Sequence, residues 1–218
     1  MSWNRDQPWR GRRPFVRPAD DPPGTSRLFI AVPVADEVRD EVGAIMENLA
    51  EGPVDQRRQG QPRWVRVDGL HLTLRFLGAT PDDRQADLAA AIETVAAGSV
   101  PFDVVLSGGG AFPNESRPRV LWIGIGEGVA ELNALERRLD VELRRLGWPG
   151  DDRPFAAHLT LARTDGVPQA DAFARRLIEQ ARDVSLTWRA DRLVLYKSNL
   201  GHGPTHYEAL ATAELIDR

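Results

Sequence analysis

The tetrapeptide His-Leu-Thr-Leu occurs twice in this 218-residue chain, at positions 71–74 and again at 158–161. Both copies lie in short apolar, β-prone runs, and successive side chains of an extended strand point to opposite faces. His71 and Thr73 therefore share one face while Leu72 and Leu74 occupy the other, and His158, Thr160, Leu159 and Leu161 repeat the arrangement. A single strand of this kind could carry His and Thr on its wet face for no chemical reason. Two copies, 87 positions apart and holding half of the chain's four histidines, point to a shared site.

The surroundings of the two copies match. A strand at Leu28–Val32 leads to a helix from Asp36, a plausible N-cap, with Val38, Val42, Ile45 and Leu49 on one side. A short strand at Trp64–Val67 precedes the first tetrapeptide strand, which runs to Leu77 and is closed by Gly78. Thr80 and Pro81 read as N-cap and first turn of a helix with Leu88, Ile92 and Val95 inward, and Phe102–Leu106 returns as a strand. After a loop at 107–118 the order recurs. A strand at Val120–Ile125 precedes a helix bearing Leu132, Leu135, Leu139 and Leu143, with Gly147 as its C′ residue. Then come the second tetrapeptide strand, a helix opened by Pro168 with Phe173, Leu177 and Ile178 inward, and a strand at Val184–Trp188. Phe29 precedes His71 by 42 positions and Leu121 precedes His158 by 37, so the chain reads as an internal duplication, approximately 27–107 and 118–190. Strands at Leu193–Tyr196 and Tyr207–Ala211 close a two-lobed domain at 213. Packed about an approximate two-fold axis, the two His/Thr faces converge on one cleft.

Charge and composition narrow what the cleft serves. Residues 1–27 carry six Arg against three Asp, and residues 1–26 read as a flexible, basic, Pro/Arg-rich extension. The remaining 191 residues hold 22 basic and 29 acidic side chains, a poor match to a long polyanion. Recognition of one small phosphate group remains open. The chain has no Cys, which excludes disulfides, a thiolate nucleophile and Cys-ligated zinc. Its apolar stretches are too short to cross a bilayer, and no signal-peptide core opens it, so a cytoplasmic monomer without membrane contact is expected.

Two imidazoles with ordinary pKa near 6.5 can hold opposite protonation states near neutrality. In-line displacement at phosphorus requires this: one His activates the attacking oxygen, the other protonates the leaving one, and each contributes roughly 10²–10⁴-fold. The Thr73 and Thr160 hydroxyls can bond the non-bridging oxygens, and the scheme needs no metal and no other cofactor.

The paired His-x-Thr-x elements resemble the signature of the two-histidine phosphoesterase superfamily. Their flanks narrow the likeness: residues 28–32, 71–78, 118–122 and 158–163 are similar to the bacterial and archaeal RNA 2′,3′-cyclic phosphodiesterases, also called 2′-5′ RNA ligases, over about 27–213. The resemblance implies an α+β, bilobal fold of two pseudo-symmetric halves, with antiparallel sheets around a central cleft and helices outside. It implies opening of a terminal RNA 2′,3′-cyclic phosphate to a 2′-phosphomonoester, with His71 as proton donor to O3′ and His158 as base toward water. It also assigns Thr73 and Thr160 to the phosphate, and Arg163 as a phosphate-contacting Arg beyond the second motif. Strand parity puts Arg163 off the His158 face, so a bend or the strand's end must redirect it. Arg75 does share the His71 face by parity and is a candidate for substrate binding, a solvated surface Arg being the other reading. The chain departs from the family at Ala157, where Pro commonly precedes the second His.

Other signals read blandly. His202 and His206 have a metal-site spacing without an evident third ligand, Gly108–Gly110 reads as a flexible joint, Phe155 as core, and Trp64 as packing or a border of the cleft. Three alternatives accompany hydrolysis of RNA ends: 2′-5′ ligation by the reverse reaction, hydrolysis of a small cyclic nucleotide at the same site, and non-catalytic binding of an RNA end.

Overall fold

The structure, a computed structural model, describes residues 21–51, 61–151, 154–166, 170–199 and 205–216. The expected terminal extension falls almost wholly outside them, as do Pro168 and His202. Among the described residues nine strands and four helices follow in the order β1 (Thr25–Pro33), α1 (Asp36–Ala50), β2 (Arg63–Trp64), β3 (His71–Pro81), α2 (Gln85–Ala97), β4 (Phe102–Phe112), β5 (Val120–Glu127), α3 (Val129–Arg145), β6 (His158–Arg163), α4 (Asp171–Gln180), β7 (Leu186–Ala190), β8 (Arg192–Asn199) and β9 (His206–Glu214). They form two antiparallel sheets, ordered β3-β1-β8-β9 and β2-β6-β5-β4-β7, with helices packed against them. This is the expected α+β architecture of two sheets. No described helix is long and apolar enough to cross a membrane.

The tetrapeptides hold the same place in each sheet. β3 pairs with β1 and β6 with β5, while β3 and β6 approach each other where the sheets meet. Leu72 and Leu74, like Leu159 and Leu161, are buried, and His71, Thr73, His158 and Thr160 are partly exposed. A fully buried leucine of this kind is worth about 1.5–3 kcal/mol relative to exposure, so four of them pin the direction in which the polar faces look.

The strands are not divided between the sheets as the linear repeat suggests. β4, read as the close of the first half, pairs with β5 and β7 in the second sheet, and β8 and β9 complete the first sheet beside β1. The cause is the short link at 113–119, which joins β4 and β5 as antiparallel neighbours. β4 itself runs to Phe112, so Gly108–Gly110 lie within a strand rather than in a joint.

Helix boundaries follow the apolar spacing. α1 buries Val38, Val42, Met46 and Leu49, and α3 buries Leu132, Leu135, Leu139 and Leu143. Asp36 is the first residue of α1 rather than its N-cap, which is Ala35. α3 ends as expected at Gly147, with φ of 90°: Gly147 N–H donates to Arg144 O and Trp148 N–H to Leu143 O, the pattern that satisfies the last carbonyls. Thr80 and Pro81, expected to open a helix, end β3 instead, and a 3-10 turn at Asp82–Arg84 intervenes before α2. Of the expected 64–67 strand only Trp64 falls in β2, which begins one residue earlier at Arg63, and a 3-10 turn at Val67–Gly69 follows.

Candidate active site

Each histidine opens its strand, opposite Pro33 of β1 for His71 and opposite Gly124 of β5 for His158. The Nδ1 of His71 lies 2.7 Å from Gly69 O, and that of His158 lies 2.7 Å from Ala156 O. A carbonyl only accepts, so in both rings Nδ1 carries the hydrogen and the neutral form leaves Nε2 as the acceptor. The two imidazoles are thus oriented by the same device, the carbonyl two residues earlier. Ala157, in place of proline, leaves that contact intact at His158.

Aromatic rings surround both imidazoles. The His71 ring centroid is 4.7 Å from Phe29, 5.1 Å from Tyr207 and 5.9 Å from Tyr196. That of His158 is 5.1 Å from Phe112 and 6.3 Å from Trp122. Burial pushes the pKa of His71 down to about 4 against the Gly69 carbonyl, and the charges of Arg163 and His158 push the same way. His158 is lowered by the same cause, with Arg163 contributing. Arg163 also acts on the Tyr207 hydroxyl. One guanidinium therefore sits within electrostatic reach of both imidazoles.

Arg163 reaches that place through a β-bulge. In the β5–β6 pair Leu121 faces Ala162 but Trp122 faces Thr160, so Leu161 has no partner. An extra residue reverses the alternation. Leu161 and Ala162 are both buried, and Arg163 emerges on the face of His158 and Thr160. β3 does the same: Ile30 faces Arg75 and Ala31 faces Thr73, leaving Leu74 over. Leu74 and Arg75 are both buried, and Phe76 emerges half-exposed, 6.1 Å from Phe29. The parity argument thus errs in both motifs for one reason, restoring Arg163 to the cleft and removing Arg75 from it. Arg75 instead bonds Asp140 of α3 at 2.8 Å and the carbonyl of Pro149.

Thr73 and Thr160 lie on the histidine faces, opposite Ala31 and Trp122. Residues that sequence reasoning passed over complete the surroundings. Trp122 lies against Gly110, where a β-carbon would come within 2.3 Å of its ring, which is why a glycine stands there. Tyr196 and Tyr207 arrive on β8 and β9, more than a hundred residues from His71 in sequence. Trp64 packs on the core opposite Ala162 rather than bordering the cleft, and Phe155 also packs on the core. His206 begins β9 and is exposed.

Two antiparallel sheets, each presenting a His-x-Thr strand where β3 and β6 meet, are the construction that the resemblance to two-histidine phosphoesterases implied. The chain belongs to the 2′-5′ RNA ligase superfamily, whose family model matches residues 39–202. It is 34% identical over 192 residues to an RNA 2′,3′-cyclic phosphodiesterase of Geobacillus stearothermophilus, a match covering 88% of this chain and 58% of that one. A protein of the same name from Methanothermobacter thermautotrophicus is 29% identical over 175 residues, covering 80% of this chain and 90% of the relative. The solved structure of E. coli LigT complexed with 3′-AMP superposes with a TM-score of 0.66 at 25% identity, over 88% of this chain and 99% of that one.

Proposed function

We propose that the chain hydrolyses RNA 2′,3′-cyclic phosphate ends to 2′-phosphomonoesters by two-histidine acid–base catalysis. The supporting observation is the matched pair of imidazoles, each held by a carbonyl at Nδ1, with Arg163 acting on both. His158 Nε2 takes a proton from water as its oxygen attacks phosphorus. The P–O3′ bond breaks, and the His71 imidazolium gives its proton to O3′. The product keeps the phosphate on O2′ and a free 3′-hydroxyl. Thr73 and Thr160 donate to non-bridging oxygens, and Arg163 offsets the charge that builds on them.

Burial disfavours the imidazolium at His71, so in the free site this ring is neutral near pH 7. The phosphate's negative charge reverses that preference, so binding of the anionic substrate is coupled to uptake of a proton from solvent at His71, and this is the proton given to O3′. Because kcat/KM reports the free enzyme, its pH profile should be bell-shaped with a maximum below about pH 6.5, the ordinary imidazole value. A flat profile would contradict the mechanism.

The decisive test is a short RNA ending in a 2′,3′-cyclic phosphate, incubated with excess chelator and analysed for the product's phosphate position. The parent should yield a 2′-phosphate, and His71→Ala and His158→Ala should each be slower by roughly 10²–10⁴-fold. Turnover that survives either substitution would remove the pair from the reaction.

A further inference from the structure

β2 contains only two paired residues, yet it sets Arg63 directly opposite Arg163 across the β2–β6 ladder. Directly opposed residues of an antiparallel pair project from the same face, with β-carbons about 4.5–5.5 Å apart, and like charges in that relation are destabilising. The neighbouring pair fixes the direction: Trp64, opposite buried Ala162, packs on the core, so Arg63 looks out on the cleft side with Arg163. Arg163 emerges beyond the β6 bulge on the face of His158 and Thr160, where its charge also reaches His71 and Tyr207. Arg63 stands one strand further out, where β2 forms the edge of its sheet. Its partner is Asp165, at 2.8 Å, with both side chains about 60% exposed. A pair so exposed contributes little and exchanges readily for another anion.

From this juxtaposition we infer that Arg63 is a second phosphate subsite, binding the phosphodiester on the 5′ side of the terminal nucleotide as the RNA leaves the cleft over β2. The inference rests on the proposed reading of the site and deepens it, because it makes an oligonucleotide end rather than a free mononucleotide the preferred ligand. Two arginines set opposite each other on neighbouring strands match two successive phosphates of one strand, and the acidic balance of residues 28–218 gives no basis for a longer track. Asp165 competes for Arg63 when no RNA is bound and sets how much the second phosphate contributes.

The test compares dissociation constants for a dinucleotide and a mononucleotide, each carrying a 2′-phosphate, so that its readout does not depend on turnover. The parent should prefer the dinucleotide. Arg63→Gln should lower that preference about threefold to tenfold and reduce the salt slope of dinucleotide binding by about 0.7, the value for one single-strand phosphate contact. Arg63→Lys, which keeps the charge, should retain most of the preference. Asp165→Asn should increase it, since the competing carboxylate is gone. A parent without preference, or a preference unchanged in Arg63→Gln, would overturn the inference. Hydrolysis of RNA ends, measured separately with the parent, tests the underlying reading, so the two can fail independently.

Discussion

At the scale of single residues, the two histidines differ less in how they are held than in what covers them. Both rest on a carbonyl at 2.7 Å, but His71 is packed among three aromatic rings and its pKa falls to about 4. Below an ordinary value near 6.5, the unfolded chain binds a proton there that the folded chain refuses. This contribution to stability is therefore fully present above about pH 6.5 and is lost as pH falls toward 4. It amounts to about 3 kcal/mol, since each pKa unit corresponds to about 1.4 kcal/mol. His71→Gln should flatten the dependence of urea-unfolding free energy on pH across that window, and an unchanged slope would contradict the burial of the ring. Gly110 gives a second prediction. Its β-carbon would meet the Trp122 indole at 2.3 Å, so Gly110→Ala should displace the ring beside His158, destabilise the fold by about 1–3 kcal/mol and alter Trp fluorescence.

At the scale of elements, the site depends on two bulges that no periodicity reveals. His-x-Thr-x alternation is legible in the sequence because the period of a strand is two, and the structure keeps it as far as Thr73 and Thr160. Beyond them the bulged Leu74, skipped opposite β1, and Leu161, skipped opposite β5, invert it, since an apolar residue reads the same whether it is paired or bulged. Arg75 therefore serves the core side, joining β3 to α3 through Asp140, with side-chain exposures of 6% and 22%. Asp140 also bonds Arg144 at 2.6 Å, so removing Arg75 leaves Asp140 with one cation rather than none and leaves the Pro149 carbonyl without its donor. Arg75→Met should lower the unfolding free energy by about 1–3 kcal/mol, and Arg75→Lys should restore only part of it, because a single ammonium cannot meet both Asp140 and the Pro149 carbonyl in the same fork. Measured unfolding at neutral pH within 0.5 kcal/mol of the parent for Arg75→Met would refute this role.

At the scale of the whole molecule, the lobes are interlocked rather than laid side by side. Arg176 of α4 bonds the carbonyls of Asn48 and Leu49 at the end of α1, Arg84 reaches Leu146 O at the end of α3 and stacks on Trp148, and Trp188 Nε1–H donates to Pro33 O. Cationic groups at helix C-termini meet orphan carbonyls and the negative end of the dipole. Because β4 belongs to the second sheet and β8 and β9 to the first, a fragment ending at residue 112 keeps the β1–β3 pair without β8, the other neighbour of β1, and β4 without β5 or β7. Such a fragment should lack the amide-exchange protection that β1 shows in the full chain, and independent folding of it would contradict the interlocked topology. The sequence by itself determined the duplicated tetrapeptide, the faces of its first three residues, the apolar sides of α1 and α3 and the end of α3 at Gly147, because each follows from local period or local backbone preference. Only the tertiary structure decided which sheet each strand joined, that Arg163 rather than Arg75 faces the cleft, and that Tyr196, Tyr207, Phe112 and Trp122 enclose the histidines. These depend on pairing partners distant along the chain, and pairing register is settled by packing between strands, which no single strand's sequence contains.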